Sequence, residues 1–235
     1  MDGRVTQAEA TLSAAELRRI RPLSVVQNQP SPTGWYVDAV KPLSDLIIGV
    51  LSLILLLPLL AICALAVRIT LGKQVLFKQA RIGRNGRAFT MYKFRTMRPD
   101  RRVHIDLTVP YAGPERRMTH KHRDDPRHTA LGRVMRKFSL DELPQVFNVL
   151  KGDMSIVGPR PQLVALVEQF DPWEHDRHLV RPGLTGLWQI SERGTTPMEE
   201  CSHYDIEYIR TVSAWLDLKI MLLTPFAVLW SRQGE

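Results

Sequence analysis

The chain has 235 residues, 44% of them hydrophobic and 24% charged, with a formal net charge of +8 at pH 7. That supports a packed core in one domain with an appendage, and the basic surplus points to phosphate-bearing partners: nucleotides, anionic lipid or nucleic acid. The two cysteines, Cys63 and Cys201, exclude a disulfide framework and fit a reducing compartment. The first 30 residues hold no apolar core of signal-peptide type, so no cleaved secretion signal is expected.

Residues 1–40 read as a polar tail. A short helix is expected over Ala8–Ile20, with Leu12, Leu17 and Ile20 on one stripe, before Pro30, Pro32 and Gly34 break the pattern. Leu46–Val67 follows without a charge and is long enough for a bilayer core of about 30 Å. Pro58 lies near its middle, where it removes a backbone donor and favours a kink. Basic residues stand on both flanks, Arg18, Arg19, Arg21 and Lys41 before it and Arg68, Lys73 and Lys78 after it. The positive-inside rule then puts both ends in the cytoplasm. A proline-containing span and a helix-break-helix entering and leaving on one face both remain open at this point.

Val75–Phe94 predicts a β-hairpin turning at Asn85-Gly86. Its apolar side is expected to hold Phe77, Phe89 and Phe94, and its polar side Lys78, Arg81, Arg84, Arg87, Lys93 and Arg95. Residues 98–127 are polar and proline-containing and read as a long loop. His104, His120, His122 and His128 match no metal-ligand spacing and read as solvated. Thr129–Phe138 predicts an amphipathic helix with Leu131, Val134, Met135 and Phe138 on one face. Further helices are expected over Glu199–Arg210 and Trp215–Trp230, the latter interfacial or in the core.

Ser139–Pro161 carries the densest chemistry. Ser139 and Glu142 have capping-box spacing, which predicts a helix start with Glu142 folded back on Ser139. Asp141 and Glu142 are adjacent, so on a helix their side chains point about 100° apart and serve different roles. A helix start also favours a bound phosphate. Aspartate is an established phosphoryl acceptor, which makes Asp141 the candidate nucleophile. Arg136 and Arg160 flank the pair in sequence, and Gly158-Pro159-Arg160-Pro161 is a stiff corner suited to presenting Arg160 to phosphate. Mg²⁺ shared between a carboxylate and phosphate oxygens would ease the approach of Asp141 to an anionic substrate.

The segments KPLSDLIIGVLSLILLLPLL (41–60), YKFRTM (92–97), LGRVMRKFSLDELPQVFNVLKGDMSIVGPRP (131–161), RHLVRPGLTGLWQI (177–190) and LDLKIM (216–221) together resemble the bacterial sugar transferases. These are monotopic polyprenyl-phosphate phosphoglycosyl transferases. The resemblance implies transfer of a sugar-1-phosphate from a UDP-sugar to a polyprenyl phosphate in the bacterial inner membrane, with UMP as the other product and a role in exopolysaccharide, capsule or O-antigen assembly. It implies Asp141 as covalent nucleophile beside Mg²⁺, Glu142 as its acidic neighbour, and Lys93, Arg136, Arg160 and Arg193 as phosphate or nucleotide contacts. It also implies a re-entrant hairpin broken at Pro58. The expected fold is α+β: a polar tail (1–40), a re-entrant membrane helix-break-helix (41–72), and a small, mostly helical catalytic domain on the cytoplasmic face (73–235) with a β-hairpin and interfacial helices. Membrane lipids are expected partners, a homo-oligomer is left open, and no nucleic-acid recognition motif is present. A non-catalytic, membrane-anchored scaffold binding nucleotide sugars or lipid is the alternative.

Overall fold

The computed structural model of the protein describes residues 31–98, 127–191 and 202–230. The expected tail helix, His104, His120, His122 and Arg193 lie outside the described residues.

A single long helix dominates the chain. One π-helical turn, Tyr36–Val40, leads into α1, Lys41–Leu71, which begins with proline at its second position and ends at Gly72 (φ +87°). The combined run of 36 residues is long and apolar enough to cross a membrane. Helix α1 runs through Pro58 without interruption, so the expected break is absent as a gap in the helix.

One stripe of α1 is buried along its length: Lys41, Asp45 and Gly49 in the first half, Leu60, Cys63 and Val67 in the second. The 4-residue and 3-residue spacings keep these on one face. The other face is exposed, with Leu51, Ile54, Leu55, Ile62 and Leu65 among its side chains.

Strands β1 (Leu76–Ile82) and β2 (Ala88–Phe94) form the expected antiparallel hairpin, with Asn85 and Gly86 both at positive φ in the turn. The expected separation of polar and apolar faces is not found. Phe77 lies opposite Lys93 and Arg81 opposite Phe89, and directly opposed residues share a face. Each face of the hairpin is covered, so neither sorts by solvent. Phe94 joins a cluster with Leu60, Cys63, Val67 and Met135 under α1, whereas Phe89 and Met91 join the main core with Val149, Met154, Val157 and Ile220.

Helix α2 (Ala130–Lys137) is capped by Thr129, whose side chain accepts from Gly132 N at 2.9 Å. A 3₁₀ segment, Leu140–Gln145, leads into α3 (Val146–Leu150), and a turn at Gly152 (φ +78°) into β3 (Ser155–Val157). Strand β4 (Gln162–Leu163) adds to the hairpin in the order β2-β1-β4, and β5 (Gly183–Thr185) pairs with β3 in parallel. Helix α4 (Val164–Val167), a 3₁₀ segment (Pro172–Leu179), α5 (Leu187–Ser191) and α6 (Ser202–Thr211) complete this part of the chain, and α7 (Ala214–Trp230) closes the described residues.

The start of α1 is fastened through a buried polar cluster. Lys41 Nζ lies 2.6 Å from Asp217 Oδ2 of α7 and donates to Val157 O at 2.9 Å. Tyr36 and Tyr208 hydroxyls donate to the same Asp217 carboxylate, at 2.6 and 2.7 Å. One turn on, Asp45 Oδ1 accepts from Ser155 Oγ and Ile156 N, both at 2.9 Å. Removing one member of a buried pair strands the other charge. Lys41→Met is therefore expected to cost roughly 3–5 kcal/mol, read as a lower Tm in detergent. The double variant Lys41→Met/Asp217→Leu should recover part of it, and a double variant no more stable than the single one would contradict the pairing.

Candidate active site

Three elements converge on one carboxylate. Strand β2 supplies Lys93, the 3₁₀ segment supplies Glu142, and the corner after β3 supplies Arg160. Lys93 Nζ lies 2.8 Å from Glu142 Oε1, and Arg160 Nη2 2.6 Å from the same oxygen. Arg160 Nη1 reaches Glu142 Oε2 at 3.3 Å, so the guanidinium grips both oxygens. Burial works to raise the pKa of Glu142, but Arg160 and Lys93 outweigh it and hold the carboxyl well below the usual range.

The expected capping box does not form. Ser139 takes a left-handed conformation (φ 55°) and makes no side-chain cap, while Glu142 turns to Lys93 and Arg160. A carboxylate gains more from two cations than from one backbone N–H. A backbone hydrogen bond closes the turn, Glu142 N donating to Ser139 O at 3.1 Å. Leu140 and Leu143 on either side of the acids pack into the cluster beneath α1.

Asp141 is in the opposite electrostatic state. It is 8% exposed, and burial pushes its carboxyl up to about 6 against the pull of Lys93 and Arg160, with Glu142 adding to the rise. The two adjacent acids thus differ: Glu142 is paired directly with two cations, whereas at Asp141 burial outweighs their pull. This electrostatic difference follows from their tertiary partners.

The corner carrying Arg160 is braced from behind. Gly158 N donates to Thr185 O and Gly183 N to Pro159 O, at 2.9 and 2.8 Å. A Cβ at Gly158 would lie 2.5 Å from Arg181 O, and one at Gly183 2.1 Å from Gly158 N, so both positions exclude a side chain. Arg177, buried and paired with Asp205, donates to Arg160 O at 3.2 Å. Sequence reasoning missed Arg177 as a support, because a buried arginine inside a polar run has no periodic signature. Arg136 donates to Thr96 Oγ1 at 3.1 Å and joins α2 to the end of the hairpin. Arg81 was read only as part of a basic surface, yet it lines a small cavity with Lys93, Gln145 and Arg160. Burial, then the nearby Arg160, pulls its guanidinium down to about 9.

No group of three or more His, Cys, Asp or Glu that could hold a metal occurs among the described residues. That is no obstacle to Mg²⁺, which uses one or two carboxylates with water and substrate phosphates. Asp141 alone fits that requirement, since both oxygens of Glu142 are engaged.

Residues 36–231 match the bacterial sugar transferase family, and the chain belongs to it. It is 40% identical to the exopolysaccharide production protein ExoY of Sinorhizobium fredii, covering 86% of this chain and 92% of that protein. It is 38% identical to the UDP-glucose:undecaprenyl-phosphate glucose-1-phosphate transferase of Escherichia coli, covering 90% of this chain and 45% of that protein. It is 47% identical to the galactosyl transferase CpsE of Streptococcus agalactiae, covering 67% and 35%. The chain thus spans less than half the length of several curated relatives and nearly all of ExoY.

The raised carboxyl of Asp141 has a consequence for stability. Its folded value lies above the unfolded one, so its contribution is complete below about pH 4 and is lost as pH rises through about 6. In metal-free buffer Asp141→Asn should be more stable than the parent chain above pH 6, by on the order of 2 kcal/mol, with the gap closing below pH 4. Thermal melts across pH 4–8 test this, and a pH-independent gap would contradict it.

Proposed function

We propose that the protein transfers a sugar-1-phosphate from a UDP-sugar to a membrane polyprenyl phosphate through a phospho-aspartyl intermediate on Asp141. The observation that carries this reading is a buried Asp141 with no directly paired cation among the described residues, beside a neighbour, Glu142, that Lys93 and Arg160 both grip. The name of the E. coli relative supports the substrate classes, and glucose or galactose is the favoured sugar.

In the first step an Asp141 oxygen attacks the β-phosphorus. The bond from that phosphorus to the bridging oxygen breaks, and UMP leaves with the electron pair. In the second step a polyprenyl phosphate oxygen attacks the same phosphorus and frees the Asp141 carboxylate, giving polyprenyl-diphosphate-sugar. Lys93 and Arg160, oriented by Glu142, stabilise charge on the departing phosphate. Asp141 and the diphosphate oxygens would hold Mg²⁺, which neutralises phosphate charge when bound. Arg136 and Arg193 are retained as outer phosphate or nucleotide contacts.

The membrane reading follows from the ends of α1. Lys41 at its start bonds Asp217 and Val157, and Leu71 O at its end accepts from Arg95 beside the hairpin. Both ends are therefore fastened to the same folded unit. A helix crossing the bilayer would carry them to faces about 30 Å apart. We infer that α1 bends at Pro58, where the ring removes a backbone donor, without losing its helical continuity, so that it enters and leaves on the cytoplasmic face with Pro58 at its deepest part. The exposed Trp215, Leu222, Phe226 and Leu229 of α7 lie at the same interface.

Purified protein in nanodiscs with polyprenyl phosphate should release UMP from at least one member of a UDP-sugar panel. Asp141→Asn should abolish both release and covalent trapping of radiolabelled sugar phosphate, and full activity in that variant would overturn the mechanism. For topology, Trp35→Cys and Lys73→Cys, each made with Cys63 and Cys201 replaced by serine, should both react with impermeant maleimide in inverted vesicles and neither in intact spheroplasts. Labelling from opposite sides would show a full span.

A further inference from the structure

Resting on the reading above, the structure assigns a further substrate-binding residue: we propose that Arg81 is the third cation of the phosphate pocket, contacting a phosphate oxygen that Lys93 and Arg160 leave unmatched.

Arg81 sits on the central strand of the β2-β1-β4 sheet, opposite Phe89 on one side and Leu163 on the other. Its face is the face of Lys93, by hairpin register. Its guanidinium's hydrogen-bond partners are neutral, Nη1 donating to Pro161 O at 3.1 Å and Nη2 to Gln79 Oε1 at 2.7 Å, and the Glu142 carboxylate acts on it without direct contact. Its Nε is buried and has no partner. Among the described residues no carboxylate forms an ion pair with Arg81. A half-buried cation with no directly paired anion is costly, and so is an unmade hydrogen bond at a buried Nε.

The surroundings show what would satisfy it. Arg81, Lys93, Arg160, Gln145, Met91 and Pro161 enclose a cavity of about 10 Å³. That is room for one water or one oxygen of a larger group entering from the site. Three cations border this space, and Glu142 neutralises one of them. Even with Asp141 ionised, one positive charge remains in excess. A phosphoryl oxygen is the ligand of matching charge, size and hydrogen-bonding capacity. Its source is the UDP-sugar diphosphate or the polyprenyl phosphate headgroup, and these share the same chemistry.

Inorganic pyrophosphate is the probe that needs no turnover. By calorimetry, Arg81→Gln should weaken its binding about 10-fold or more, the effect of losing a charge-assisted contact. Arg81→Lys, which keeps the charge but loses the fork, should fall between. Wild-type protein labelled with ¹⁵N at arginine Nε gives a readout independent of variant folding. The Arg81 Nε–H signal, assigned by its absence in Arg81→Lys, should shift on adding pyrophosphate. Undiminished pyrophosphate binding in folded Arg81→Gln, or an unmoved Nε–H signal in the wild type, overturns the proposal. A raised KM for UDP-sugar in trapping assays identifies the diphosphate as the source, and a raised KM for polyprenyl phosphate alone identifies the headgroup. Arg81-dependent pyrophosphate binding without UMP release from any UDP-sugar would leave this pocket standing and remove the transfer reaction.

Discussion

The Glu142 carboxylate is the constraint on which the site depends. It draws Lys93 from a strand 49 residues upstream and Arg160 from a corner 18 residues downstream onto one pair of oxygens. No local rule would hold those cations together, since each repels the other and both resist burial. With Glu142 between them they form a fixed, satisfied unit. Asp141 is then left as the carboxylate of the segment that the fold does not neutralise. A nucleophile gains from this arrangement: a carboxylate already saturated by two cations would be a poor attacker, and one open to water would be solvated.

The membrane helix and the site are joined by one short mechanical path. Lys41, paired with Asp217, and Asp45 fasten the first turns of α1 to the carbonyl of Val157 and the backbone of Ile156. The next four residues are the corner that carries Arg160. At the other end of α1, Leu60, Cys63 and Val67 pack with Phe94, the residue after Lys93, and with Leu140 and Leu143 around the acids. The helix therefore touches both sides of the catalytic cluster. In the proposed membrane arrangement its exposed apolar face would set the depth of the molecule in lipid, and its buried face would set where the cluster stands relative to that depth. This is a physical reason for a membrane anchor to be built into the catalytic unit instead of hung on a linker.

The sequence made some of this plain and hid the rest for identifiable reasons. Hairpin, amphipathic helix and apolar helix rest on local periodicity and turn chemistry, and each was found near its expected bounds. The acids, Lys93 and Arg160 were named through motif likeness, and the structure brings those four together. The role given to Ser139 failed because capping-box spacing describes what a glutamate can reach locally, and Glu142 had better partners far away in sequence. The two-faced hairpin failed because alternation reports solvent on one side only, whereas Phe94 and Phe89 face different apolar clusters. Arg177 and Arg81 were invisible for the same reason. Their meaning lies in what surrounds them, and a basic residue in a basic stretch looks like surface.

The resting site is poised by an imbalance of charge at one end and of solvation at the other. Asp141 is destabilised by ionisation in a dry position, and Arg81 by lacking an anion. Each of these costs folding free energy that better-paired residues would not. The proposed diphosphate substrate would answer both at once: its oxygens would meet the cations, and its electrophilic phosphorus would be the partner Asp141 lacks. Binding can then relieve strain that folding left in place, so that part of the work of bringing an anionic carboxylate against an anionic phosphate is done before substrate arrives. That division of labour also explains why the segment around Ser139 tolerates a left-handed serine. The packing of Leu140 and Leu143 beneath α1 holds the turn in place, and the turn holds the two acids in their unlike surroundings.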